Sequence, residues 1–154
     1  MRRRLLLSMQ NAASATVPRR WNVEADGIKW IPRMADKARM REGAGLGAYL
    51  MGHSPVDRSL LRVLGMTTEE WVAMVATTTS DAGVLAKLRA RGVDEARLRA
   101  WSAKFETRFK ALIPLWDLDE GYVTPTPVQR TLLAVFKPVE GLVTDLLRRL
   151  RPAP

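Results

Sequence analysis

The ten residues from Ile31 to Met40, IPRMADKARM, set one carboxylate between two cations, Arg33, Asp36 and Lys37. On a helix, at about 100° per residue, Arg33, Asp36, Lys37 and Met40 share one arc of about 100°, with Met34, Ala35 and Ala38 opposite. Asp36 can serve as a general base if burial raises its pKa, with Arg33 and Lys37 binding an anionic group or a developing oxyanion. A desolvated Lys37 could instead form a Schiff base. Tyr49 and His53 follow closely enough to donate or relay a proton, so Asp36, Lys37, Tyr49 and His53 are the candidate catalytic residues. Trp21, Trp30, Trp71, Trp101 and Trp116 could wall an apolar pocket between helices, or simply fill the core. The competing reading of the stripe is an ordinary solvated face, whose exposed ion pairs contribute well under about 1 kcal/mol.

Other chemistries are excluded by what the chain lacks. Without cysteine there is no disulfide, thiolate nucleophile, zinc–thiolate site or iron–sulfur cluster. His53 is the only histidine, so no multi-histidine metal site forms within one chain. GAGLG at residues 43–47 matches neither the dinucleotide fingerprint nor the phosphate loop, and reads as a turn between helices. WDLDEGY places Asp117, Asp119 and Glu120 close together, but Tyr122 and Val128 stand where a calcium loop needs glycine and glutamate. The expectation is therefore no metal and no cofactor.

The helices that must carry these residues are marked by their caps. Pro32 pre-sets the start of the helix holding the stripe. SPVDRSLLRVLG opens on Ser54 and Pro55 and closes on Gly65. Thr67 and Glu70 have the spacing of a capping box, ahead of Trp71, Val72 and Val75. SDAGVLAKLRARG has Ser80 or Asp81 as cap, Leu85 and Leu88 inward, and Gly92 as stop. The longest run, from Val93 to Leu112, lines up Leu98, Trp101, Phe105, Phe109 and Leu112, and Pro114 is expected to end it. No stretch of comparable length alternates as a half-buried strand does. The fold class is all-α, a compact bundle of about five to six helices with short loops.

The net charge of +9 is concentrated at the ends. Arg2, Arg3, Arg4, Arg19 and Arg20 near the start and Arg148, Arg149 and Arg151 near the end leave 17 basic against 16 acidic residues in positions 21–147. That balance argues against a dedicated nucleic-acid face. Residues 1–20 read as a basic, flexible leader, too short in its apolar part for a secretory signal. Residues 21–121 are the helical core domain. Residues 122–154 carry a helical seam from Val128 to Leu150, kinked near Pro138, that packs on the core or on a partner such as a second copy. No apolar run is long enough for a transmembrane segment, and a cytoplasmic location is expected.

IPRMADKAR, the glycine-punctuated GAGLGAYL, SPVDRSLLRVLGMTTEEWVAMV, SDAGVLAKL and WDLDEG together resemble the bacterial family catalogued as domain of unknown function 5069, over about residues 21–121. Ala48 departs from the acidic residue that the family pattern has between glycine and tyrosine. The resemblance implies no reaction. It does imply that Arg33, Asp36, Lys37, Arg39, Gly47, Tyr49 and Asp57 form a shared signature. Arg33, Arg39, Asp57, Trp30, Trp71 and Trp101 are the candidate substrate-binding residues.

Two functions follow. One is a small-molecule-binding helical protein, a cofactor- and metal-independent isomerase, cyclase or lyase that uses the Arg/Asp/Lys cluster in an apolar pocket on an anionic ligand. The other is a non-catalytic interaction or dimerisation module whose basic ends contact acidic partners.

Overall fold

The computed structural model describes residues 17–43, 45–47, 49–131 and 134. It is helical except for one small hairpin, β1 (Glu24–Ala25) and β2 (Ile28–Lys29), paired antiparallel with Ala25 opposite Ile28. The turn between the strands is Asp26-Gly27, at φ 51° and 74°. Two consecutive positive φ values suit the twist of a tight hairpin, and Asp-Gly accepts them readily. The hairpin is thus a departure from the purely helical expectation, made by local turn chemistry rather than by long alternating strands.

Helix α1 (Ile31–Glu42) follows and is the hub of the bundle, packing against β1, α3 (Thr68–Ala76) and α4 (Asp81–Ala90). Helix α2 (Pro55–Leu64) starts at Ser54, whose hydroxyl accepts from the Asp57 amide, and ends on Gly65 in the left-handed region. Both halves of the Thr67–Glu70 capping box form at the start of α3. Ser80 caps α4, and Asp94 caps α5 (Glu95–Ala103). Each cap satisfies an otherwise orphaned amide of the first turn, which is why these boundaries follow the sequence closely.

The expected long helix from Val93 to Leu112 is broken at Lys104 into α5 and the short α6 (Phe105–Arg108). Pro114 does not end it. Instead the proline lies in the first turn of α7 (Ile113–Asp119), where its missing amide proton costs nothing. Phe105, fully buried, sits among Trp21, Trp30, Trp101 and Trp116, with ring centroids 5.5–6.5 Å away. Ile28, Ile31, Met34, Leu60, Leu61, Trp71 and Val75 fill the rest of a continuous core.

Among the described residues no helix is long and apolar enough to cross a membrane. Of the C-terminal seam, residues 132, 133 and 135–154, and with them the kink expected at Pro138, lie outside the described residues.

Candidate functional site

Arg33 and Lys37 lie one turn apart on α1, and both are almost completely buried, at 4% and 3% exposure. The stripe is therefore not a solvated face. Both cations lie against the ring of Trp30, the Arg33 guanidinium 5.2 Å and the Lys37 ammonium 5.3 Å from its centroid. Tyr49 flanks Arg33 on another side, at 5.6 Å. Trp30 itself is held at φ 70°, in the left-handed region where a tryptophan is strained by about 1–3 kcal/mol.

Lys37 has a complete set of acceptors. Its Nζ donates to both oxygens of Asp57, at 2.6 and 2.5 Å, and to the Leu50 carbonyl at 3.0 Å. Asp57, fully buried at the first turn of α2, also accepts from Trp30 Nε1 at 2.8 Å and from the Gly52 amide at 3.0 Å. Burial pushes the Lys37 ammonium below the ordinary lysine range, and the Asp57 carboxylate opposes that push. The loop that supplies Leu50 and Gly52 can approach this closely only because residue 52 is glycine. Its φ is +78°, and a Cβ there would stand 2.0 Å from Thr68 Oγ1.

Arg33 is paired differently. Its two terminal nitrogens form a fork with Glu120, one contact at 3.1 Å to Oε2 and the other a short one to Oε1. The Glu120 side chain is 4% exposed and lies immediately after α7. Arg33 also donates to the Arg19 carbonyl at 2.8 Å, while its buried Nε has no partner. Tyr49 is half-buried, and burial followed by the Glu120 charge raises its phenol above the usual tyrosine range, so it stays a donor.

Asp36 is not the partner of Lys37. It accepts from the Arg19 backbone amide at 2.9 Å and from Nε at 2.8 Å, while the Arg19 fork also bridges to Asp81 at 2.6 and 2.8 Å. Arg19 and Arg20, the end of the basic leader as read from the sequence, are thus fixed to the bundle, Arg20 through Asp117 at 2.8 and 2.9 Å. Arg20 holds the Asp117 carboxyl below the ordinary carboxylate range. Arg39 lies 3.6 Å from Asp36, with one terminal nitrogen buried and without a partner.

The remaining candidates are distributed around the core. His53 Nδ1 donates to the Met51 carbonyl at 3.0 Å, within the loop that reaches Lys37. Trp71 meets α1 on the Met34 side, its Nε1 donating to the Met34 carbonyl at 3.2 Å. Trp101 Nε1 donates to Ser59 Oγ at 2.9 Å. Of the tryptophans, Trp30 borders the two cations, and Trp116 packs on Trp30 at 5.1 Å. Asp117 and Glu120 turn to different arginines, so WDLDEGY forms no convergent ligand set.

What the sequence reading missed is Glu120 as the partner of Arg33 and Arg19 as the partner of Asp36. Separations of 87 and 17 residues leave no local signal for either. A groove of about 380 Å³ runs between α3 and α4, lined by Glu70, Met74, Lys87 and Arg91 among others, and none of the candidate residues borders it.

A family model described as "Domain of unknown function (DUF5069)" matches residues 15–126, more than half of the chain, and takes in every residue of this cluster. No curated protein matches the chain.

Proposed function

The chain belongs to the DUF5069 family, and from that premise, which carries no reaction, we propose that it binds a small anionic molecule at Arg33 and performs acid–base chemistry on it with Lys37 and Asp57. The reaction class is that of an isomerase, cyclase or lyase working with side chains of this chain.

One observation carries this reading: two cations on successive turns of one helix, both buried, both against Trp30, each held by a carboxylate from a distant part of the chain. Taking ions out of water costs several kcal/mol each, and apolar residues of similar volume often serve stability as well. Buried charge with a perturbed lysine is a pattern that accompanies binding and catalysis.

In this reading Arg33 holds a carboxylate or a developing enolate oxygen through its fork and neutralises its charge. Lys37, already pushed toward the neutral form, takes a proton from carbon or returns it. Asp57 fixes the position of Nζ and balances the ammonium formed in that step. Tyr49, protonated at neutral pH, donates to an oxygen of the ligand. The ligand is small, because the space belongs to side chains now packed around Trp30.

The test is a thermal-shift panel of small carboxylates, phosphates and carbonyl compounds on the full chain. A binder stabilises by RT ln(1 + [L]/Kd), about 2.7 kcal/mol at a hundredfold excess over Kd. Arg33→Lys keeps the charge and loses the fork, so it should lose most of that shift. Proton chemistry is read separately, by solvent deuterium exchange at carbon in a bound carbonyl compound. Exchange should vanish in the double variant Lys37→Met/Asp57→Asn, which removes both charges together. Full stabilisation of Arg33→Lys by the same ligand would sink the anchor, and unchanged exchange in the double variant would sink the acid–base pair.

A second reading, an interaction module, draws on the exposed apolar residues after α7, with Tyr122 at 46%, Val123 at 49% and Val128 at 70% exposure. It forecasts concentration-dependent association that Val123→Ser/Val128→Ser weakens, with no effect of small anions.

A further inference from the structure

We infer that Glu120 and Trp116 form an internal copy of the ligand, and that α7 is a lid which a small aryl-substituted carboxylate displaces from Arg33 and Trp30. This rests on the reading of Arg33 as an anion anchor and names the class of anion and the gate.

The lid presents the two groups that such a ligand needs. Trp116 and Glu120 lie four residues apart, on one face of a helical turn. The Trp116 ring packs on Trp30 at 5.1 Å, and the Glu120 carboxylate takes the Arg33 fork. A flat apolar ring followed by a carboxylate on a short spacer reproduces both contacts. The guanidinium plane between Trp30 and Tyr49 accepts a planar carboxylate in two parallel hydrogen bonds.

The internal copy fits imperfectly. Arg33 Nε is buried and has no acceptor while Glu120 is in place. A carboxylate free to choose its approach can engage Nε together with one terminal nitrogen, which the tethered Glu120 does not do. Buried donors without acceptors are costly, so a ligand that supplies one gains over the lid.

Helix α7 is also held from outside rather than by its own sequence. Asp117, Asp119 and Glu120 crowd its C-terminal end, and no basic residue stands in its last turn. Carboxylates there oppose the helix dipole, so Arg20 and Trp21 on Asp117, Arg33 on Glu120 and the packing of Trp116 are what keep it closed. Its apolar residues are poorly covered: Trp116 and Ile113 are partly buried, and Leu115 is 59% exposed. Gly121 follows at φ 77°, a conformation that favours glycine and provides a pivot next to Glu120. Opening the lid uncovers the Trp30 ring, against which the Lys37 ammonium lies on the Asp57 side.

The experiment compares the full-length wild type with Glu120→Gln, titrating each with 3-phenylpropanoate, acetate and inorganic phosphate and following tryptophan fluorescence. Removing an internal competitor raises apparent affinity by up to the reciprocal of the fraction of time the site stood open. The expected result is 3-phenylpropanoate binding about tenfold or more tighter to Glu120→Gln, and tighter than acetate to either protein. Trp116→Ala removes the ring of the lid and is the second variant should Glu120→Gln fail to fold. It too should bind more tightly. Equal or weaker binding of 3-phenylpropanoate to the folded variants overturns the lid and leaves Arg33 as an anion anchor. Binding of phosphate alone, lost in Arg33→Lys, overturns the aryl carboxylate and again leaves the anchor. Binding of no anion to either protein overturns both inference and anchor.

Discussion

Two clusters of arginine, lysine and carboxylate stand at opposite extremes of solvation in this bundle. Around Trp30, Lys37–Asp57 and Arg33–Glu120 have side chains 5% exposed or less. At the hairpin, Arg89 and Arg99 share Asp26 at 2.8 Å each and reach Glu95 at 3.1 and 2.7 Å, with side chains 41–53% exposed. The distances are alike; the surroundings are not. The surface cluster clamps the Asp26-Gly27 turn onto α4 and α5, and water and salt screen its charges. The buried pairs cannot fall back on water if a partner is lost, so each charge there depends on a specific opposite one.

The largest effect should come from breaking the buried pair on one side. Asp57→Ala leaves the Lys37 ammonium without a counter-charge, with only the Leu50 carbonyl as acceptor, and leaves Trp30 Nε1 and the Gly52 amide without acceptors, and is expected to cost about 3–5 kcal/mol in urea unfolding. Lys37→Met/Asp57→Leu should recover the share owed to the unpaired ammonium, while Trp30 Nε1 and the Gly52 amide still lack their acceptor. If the single variant loses less than about 1 kcal/mol, water reaches the pair and the contrast between the clusters disappears.

Gly52→Ala comes next. The new methyl meets Thr68 Oγ1 at a left-handed position, so the loop must move and withdraw its amide from Asp57. The expected loss is about 1–3 kcal/mol, with weaker ligand binding if the cluster is the site. The double variant Gly52→Ala/Thr68→Ala removes both Oγ1 and Cγ2 from the collision, so recovery there separates crowding from backbone strain. Ser54→Ala should cost about 1 kcal/mol, because it strips the cap from the turn that presents Asp57. A cost near zero, measured by urea unfolding, would mean that solvent replaces the hydroxyl.

How far the sequence reaches follows from the same contrast. Caps are local, and Ser54, the Thr67–Glu70 box and Ser80 all lie where their spacing puts them. The helix carrying IPRMADKARM was legible too, and so was the clustering of Arg33 and Lys37 on one face. Its burial was not, since charge in a helical wheel reads as exposure unless a distant partner is known. Asp57 stands out only through the family signature, and Glu120 sits in sequence within the acidic run WDLDEGY. The helical face that Asp36 shares with Arg33 and Lys37 suggests it as a base if burial raises its pKa. Yet Asp36 turns to Arg19 and Asp81, and the acceptor for Lys37 comes from α2. The Asp26-Gly27 turn is a local signal too, but its strands are two residues each, too short to show alternation.

The smallest effects are in the pH dependence, and there the two clusters should act with the same sign in opposite pH windows, stability rising with pH in each. Arg89 and Arg99 hold the Glu95 carboxyl down at about 2, so whatever stability it adds is present above the ordinary carboxylate pKa and is lost as pH falls toward 2. Lys37 has a folded-state pKa below its unfolded one. Between those two values the unfolded chain binds a proton that the folded chain does not, and stability rises with pH up to the ordinary lysine range. Tyr49 works against this at the alkaline end, because its raised pKa makes stability fall once the unfolded tyrosine ionises. The comparison to make is therefore wild type against Lys37→Met/Asp57→Leu, both retaining Tyr49, by urea unfolding across the alkaline range. The difference should drift in favour of wild type as pH climbs. On the acid side, Arg89→Gln/Arg99→Gln should flatten the Glu95 contribution and change little at neutral pH in moderate salt. A flat alkaline difference would mean that Asp57 offsets the whole desolvation of Lys37, leaving the lysine fully charged and unfit to accept a proton from carbon.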